Sequence, residues 1–270
     1  MPATVWKGYL SFGLVSFPVR LYAAARPETV HFHMLHAKDD SRVKEVWYCA
    51  EEDKPISRDE IVKGYEYEKG QYIEVTSEDL EKIAPPTATV MEIQQFVKAG
   101  EVDPIFLEKS YYVAPEEAVS KPYGLLLTAM SDTKMYAIAK VTMHGREHVV
   151  IIRPTGKGMV LHTMYYVDEL RAANQSGGEA KGGFSAKEVD MAKKLIDTLA
   201  APFKPAEYHD TYRENVEKLI EAKQKGRRLP TVKQPKPAPV VDMLEALQRS
   251  LKAAGAGKKP APAKKARRAA

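Results

Sequence analysis

Three groups of residues carry types and spacings that could do chemistry. The run His144-Gly145-Arg146-Glu147-His148 fits the H-x-x-E-H pattern of a class of zinc peptidases. That chemistry needs a helix to bring both imidazoles to one face, with the carboxylate beside the metal-bound water. Here Gly145 sits between two strand-like runs, so the segment reads as a hairpin turn and the pattern lacks the element it requires. His31, His33 and His36 precede Cys49, and imidazoles two apart on a strand share a face that could hold zinc with a thiolate. A Cys-x-x-Cys partner would need a thiol at position 52, which is Glu52, so three solvated or hydrogen-bonded histidines are the expected outcome. Gly156-Lys157-Gly158 resembles a phosphate loop in outline, but Gly158 stands where Ser or Thr would hold magnesium, and the upstream glycine is missing. No nucleophile elbow or dinucleotide fingerprint occurs, so no metal, cofactor or catalytic residue is expected.

What remains is cationic. Arg20, Lys38, Arg42, Lys44, Lys134, Lys140, Arg146, Arg153 and Lys157 are spread through the strand-rich part. On a concave surface such side chains would track phosphates and leave base edges unread, giving binding without sequence preference that weakens steeply with salt. Overall charge supports that direction once the chain is divided. The 270 residues hold 41 Lys/Arg and 36 Asp/Glu, but residues 223–270 alone hold 14 basic and 2 acidic groups. The preceding 222 residues therefore carry 27 basic and 34 acidic groups. An acidic body with a basic tail points to nucleic acid or a membrane surface. Cys49 is the lone cysteine, no secretory leader is read at the N-terminus, and no apolar run approaches the roughly 18 residues of a bilayer span. A reducing cytoplasm and a nucleic-acid partner are expected, with no membrane.

The elements that must position these cations read mostly as strand as far as residue 165. Apolar runs between turn signals occur at 8–22, 71–76, 90–97, 109–113, 136–143, 148–153 and 159–167, a spacing that favours a barrel or sandwich. Helices are predicted over 57–63, over 77–83 with Ser77 as cap, and over 122–132. After the glycine-rich stretch 176–183 the period changes. Ser185 and Glu188 form a capping-box pattern ahead of the stripe Val189, Ala192, Leu195, Ile196 and Leu199, and a second helix is predicted from Asp210 to Gly226. Residues 229–239 carry four prolines and read as an extended linker. Beyond it Val240, Met243, Leu244, Leu247 and Leu251 fall at helical spacing, an apolar stripe suited to a partner's groove or to folding back on the chain's own core. Residues 254–270 alternate Ala, Pro and Lys/Arg and are expected to be disordered.

The run from Val5 to Tyr22, VWKGYLSFGLVSFPVRLY, resembles the opening of the prokaryotic Ku proteins, the DNA-end-binding factors of bacterial non-homologous end joining. The likeness continues through Phe32 to His36, Ile61 to Tyr67, Asp103 to Ile105, Tyr111 to Pro115, Gly145 to His148, Leu161 to Tyr166 and Asp210 to Tyr212. It runs in order over roughly residues 4–225, and it absorbs the zinc-peptidase pattern into a barrel hairpin.

The resemblance implies a mainly β fold with α: a Ku-type seven-stranded β-barrel, a bridge excursion, a helical C-terminal arm and a disordered basic tail. It implies a core over 1–228, a linker over 229–239, a ligase-docking helix over 240–253 and a tail over 254–270. Two copies would close a ring around linear double-stranded DNA, which a closed circle cannot thread. Candidate DNA contacts are Arg20, Lys38, Arg42, Lys44, Arg146, Arg153 and Lys157, with Lys258, Lys259, Lys264, Lys265, Arg267 and Arg268 in the tail. Candidate contacts to the ATP-dependent DNA ligase D are Val240, Met243, Leu244, Leu247 and Leu251. Some relatives carry a Cys-x-x-Cys at the place of Cys49, and Glu52 argues against a metal here. The expected function is a non-enzymatic, homodimeric end binder of the bacterial cytoplasm that associates with the nucleoid and recruits the ligase. A histone-like architectural binder driven by its tail, and a zinc hydrolase on His144, Glu147 and His148, are the alternatives.

Overall fold

The computed structural model describes residues 3–116, 120–171, 183–227, 246–248 and 250–252. The chain divides into two compact units, residues 1–176 and 177–270.

Seven strands of the first unit close a barrel. β1 (Thr4–Phe12) and β2 (Val15–Ala23) form a hairpin, and β7 (Val90–Lys98), β8 (Leu107–Pro115), β9 (Met135–Met143), β10 (Arg146–Thr155) and β11 (Gly158–Met164) complete the order β1-β2-β8-β11-β10-β9-β7. Every pairing is antiparallel except the closing contact of β1 with β7, which is parallel. Alternation sets the faces: Phe17, Val19 and Leu21 on β2, Ala137, Ala139 and Val141 on β9, and Val150 and Ile152 on β10 point inward with no exposed surface. α2 (Ser120–Thr133) adds Leu126 and Met130 to this core. Its Tyr123 hydroxyl donates to the Val113 carbonyl at 2.9 Å and accepts from the Met159 amide at 2.8 Å, tying the ends of β8 and β11.

Between β2 and β7 the chain makes an excursion over residues 24–89, and none of these residues is buried. It holds two small antiparallel ribbons, β3 (Trp47–Cys49) with β4 (Lys54–Ile56) and β5 (Lys63–Glu68) with β6 (Gln71–Val75), followed by the short α1 (Ser77–Lys82). Its returning end is stitched to the barrel. The Trp6 indole donates to the Ala88 carbonyl at 3.0 Å, the Tyr9 amide donates to Thr89, and the Thr87 hydroxyl donates to Glu147 at 2.7 Å. Gly8 is required beneath that seam, because a Cβ there would lie 2.3 Å from the Thr89 carbonyl oxygen and 2.5 Å from the Trp6 ring.

Several expectations are corrected. The run 8–22 is a hairpin with its turn at Gly13 and Leu14, not one strand. Residues 57–63 form a single 3-10 turn, Arg58–Glu60, because β-branched Ile61 and Val62 lead into the extended β5. The cap of α1 is Thr76, whose hydroxyl accepts from the Asp79 amide, and not Ser77. The last barrel strand ends at Met164, three residues before the expected end. In the second unit, α3 (Ala186–Leu199) has the Ser185/Glu188 capping box, and α4 (Thr211–Gln224) is capped by Asp210.

Candidate nucleic-acid interface

The hairpin joining β9 to β10 turns at His144 and Gly145, both in the left-handed region at φ 53° and 75°. His144 is therefore a turn residue. Glu147 accepts from Thr87 at 2.7 Å and from the Lys140 ammonium at 3.0 Å, contacts that hold its carboxyl below the usual range. Its oxygens are committed to the barrel, and the H-x-x-E-H segment has no metal-binding geometry. Among the described residues no three His, Cys, Asp or Glu side chains converge as a metal site.

The candidate cations fall into distinct environments. Arg20 faces outward from β2 and donates through Nε and Nη2 to one Glu116 oxygen, at 3.3 and 3.1 Å, while the Lys7 ammonium lies 3.1 Å from the same oxygen. Two cations sharing one carboxylate leave a net positive charge, and together they hold Glu116 below its usual pKa. Arg146 is taken up more fully. Its guanidinium pairs with Glu169 at 2.7 Å and lies 5.6 Å over the Tyr166 ring, which packs the hairpin against the chain leaving β11.

Arg153 is held differently. Its Nε–H donates to His162 Nε2 at 2.8 Å, and His162 Nδ1 lies 2.8 Å from the Ser110 hydroxyl. A ring nitrogen that accepts from a guanidinium must be unprotonated, so His162 is neutral with its proton on Nδ1. Burial and then the Arg153 charge push its pKa down, in agreement. The bond fixes one edge of Arg153 without neutralising it.

Cross-strand register gathers these groups. Tyr22 pairs with Tyr112, Tyr112 with Val160, and Val160 with Arg153, so one row crosses β2, β8, β11 and β10 on the outer face. Arg20 sits two residues from Tyr22 on that same face. The face thus presents two arginines with exposed Tyr112 between them, and Lys157 lies at its end, in the turn from β10 to β11. Arg146 sits at the opposite end of β10 and does not join them. Lys38 and Arg42 lie on a tight loop of the excursion, closed by the Leu35–Arg42 bridge and by Asp39, which accepts from Ser41 and bonds His36; Lys44 follows. Tyr22, Tyr112, Ser110 and His162 are the companions sequence reasoning missed. The strand period of two would have placed them beside Arg20 and Arg153 once pairing was known.

Lys258, Lys259, Lys264, Lys265, Arg267 and Arg268 lie outside the described residues, as do Val240, Met243 and Leu244. Leu247 and Leu251 fall in a described helical segment, residues 246–248 and 250–252, and both are half-buried. Among the described residues no helix is long and apolar enough to cross a membrane.

The profile of the family described as Ku, the Ku70/Ku80 beta-barrel domain, matches residues 11–191. The chain is 61% identical over 267 residues to the Non-homologous end joining protein Ku of Solibacter usitatus, covering 98% of this chain and 100% of that one. The protein of the same name from Koribacter versatilis is 48% identical over 254 residues, with 94% and 87% covered. That from Archaeoglobus fulgidus is 39% identical over 249 residues, with 92% and 98% covered. Among solved structures, the SPOC domain of human PHD-finger protein 3 aligns at a TM-score of 0.30 and 15% identity, over 60% of this chain and 95% of that one, a likeness too slight to bear on function. With a closed seven-stranded barrel, an excursion between its second and seventh strands and relatives matched along nearly their whole length, the chain belongs to the Ku family.

Proposed function

We propose that this chain binds double-stranded DNA ends in non-homologous end joining, as a homodimeric ring without sequence preference, and that it recruits the ATP-dependent DNA ligase D. The relatives' shared name supports the end-joining role. The observation that carries the ring is the excursion. Residues 24–89 expose Phe32, Trp47, Tyr65 and Ile83, each more than 60% accessible, and bury nothing. Two-stranded ribbons of this kind are marginal alone, and apolar surface on this scale marks a protein partner. A second copy supplies it by interlocking its own excursion with this one.

Charge supports threading rather than adhesion. Residues 24–89 hold 15 Asp/Glu against 9 Lys/Arg, so the arm as a whole repels phosphate, with Lys38, Arg42 and Lys44 as its local exception. Arg20, Arg153 and Lys157 on the barrel are the proposed phosphate contacts, and the tail cations from Lys258 to Arg268 add an accessory, salt-sensitive share. No catalytic step is assigned to the chain. It acts in the bacterial cytoplasm at the nucleoid.

The ring is tested by trapping. Protein loaded on a linear duplex, whose ends are then sealed by hairpin oligonucleotides, should resist a salt wash that strips the open duplex. Equal loss from sealed and open duplexes would rule out encirclement.

A further inference from the structure

Lys7 on β1 and Arg20 on β2 are directly opposed in the sheet, and both side chains lie on the outer face of the barrel. Like charges at such a cross-strand position destabilise a sheet. Here a third strand supplies the compensation. β8 ends at Pro115, and the Glu116 amide donates to the Pro18 carbonyl at 3.3 Å, which sets the carboxylate beside both cations. One oxygen, Oε1, takes all three contacts: Lys7 Nζ at 3.1 Å, Arg20 Nη2 at 3.1 Å and Arg20 Nε at 3.3 Å. Elsewhere on the barrel Lys140 pairs with Glu147 and Arg146 with Glu169, one cation to one carboxylate. The Glu116 cluster instead keeps one positive charge over, and its Lys7 side chain is 62% exposed. An oxyanion met at once by a guanidinium edge and an ammonium is the arrangement these two groups give a phosphate oxygen.

We propose that Lys7, Arg20 and Glu116 form a seat for a backbone phosphate of duplex DNA, in which the Glu116 carboxylate holds the phosphate's place until DNA displaces it. The inference rests on the reading that Arg20 contacts the DNA backbone; it adds Lys7 as a contact and gives Glu116 a restraining role. A phosphate diester carries the same single negative charge as the carboxylate, so the exchange keeps the opposed cations compensated. Rotation about the Glu116 side-chain torsions carries the released carboxylate into water. Because carboxylate and phosphate compete for one seat, apparent affinity for DNA is reduced by the fraction of time the seat is free.

The test uses the full chain and one linear duplex at rising salt. Glu116→Gln keeps the shape of the side chain and removes its charge, so it should tighten binding; if the carboxylate fills the seat about nine-tenths of the time, the gain is about tenfold. Glu116→Ser gives a second neutral variant should the first fold poorly. Lys7→Gln should weaken binding and reduce the salt slope by about 0.9, and Lys7→Arg should restore both. Arg20→Gln should weaken binding likewise. Unchanged or weaker binding by a folded, neutral Glu116 variant would overturn the stand-in role, because a carboxylate that merely orients Arg20 helps DNA and its loss would hurt. Full binding by Lys7→Gln beside a loss in Arg20→Gln would overturn the seat and leave the Arg20 reading standing. No loss in Arg20→Gln would mean that the underlying reading has failed. Sodium phosphate replacing chloride at equal ionic strength should displace the duplex no better than chloride does; displacement specific to phosphate and abolished by Lys7→Gln would give the seat to a free anion and overturn its assignment to DNA.

Discussion

In the barrel, Leu10, Phe17, Leu21, Met91 and Leu161 have no exposed surface, whereas no residue between 24 and 89 is buried. Barrel cations are also tied down: Arg20 to Glu116, Lys140 to Glu147, Arg146 to Glu169 and Arg153 to His162. The difference separates two tasks. The barrel stabilises itself and holds its cationic groups in fixed geometry. The arm offers surface that gains free energy only by meeting something else.

The largest expected effect lies in the barrel. Phe17 makes edge-to-face contacts with Phe12 and Tyr123 at 6.4 Å, and Phe17→Ala should lower stability by about 3–5 kcal/mol in denaturant titrations. On the arm, Trp47→Asp with Tyr65→Asp should leave barrel unfolding within about 0.5 kcal/mol of the parent, as surface changes do. The same pair should weaken self-association by about tenfold or more, read by analytical ultracentrifugation. A large loss of barrel stability from the arm pair would erase the distinction between the regions.

Smaller effects sharpen it within the barrel. Arg153→Ala should weaken duplex binding equally for all sequences and reduce the salt slope by about 0.9. Arg146→Ala should change that slope less, because its charge is already spent on Glu169 and Tyr166. The smallest effect concerns pH. His162 has a lowered folded-state pKa, so its contribution is fully present above the unfolded value of 6.5 and is lost as pH falls from there toward the folded value. His148 is also lowered, by burial and then Arg146, and acts in the same window. The difference between the parent and His162→Gln isolates one site: the parent's melting temperature should fall more steeply from pH 6.5 downward.

Legibility followed locality. The barrel strands and the capped α3 and α4 show in the sequence because alternation and capping are local signals. The β3–β4 ribbon was not legible, since Lys54-Pro55-Ile56 carries a proline and neither strand buries a face. At 57–63, where a helix is predicted, Glu60 accepts from the Ser57 amide, but β-branched residues follow and no helix grows. In the candidate interface, residue types were visible and partnerships were not. Arg20 meets Glu116 across 96 residues, and only barrel closure decides which arginines are already engaged.

The central claim, that the barrel and arm encircle DNA while the tail assists, is tested most directly with one duplex in two forms. Binding to linear DNA and to the same sequence as a covalently closed circle should be compared at rising salt, with the full chain and with a chain ending at Gly255. Tight binding to the linear form alone, retained at reduced affinity after truncation, is the expected result. Equal affinity for both forms, or complete loss on truncation, would contradict it.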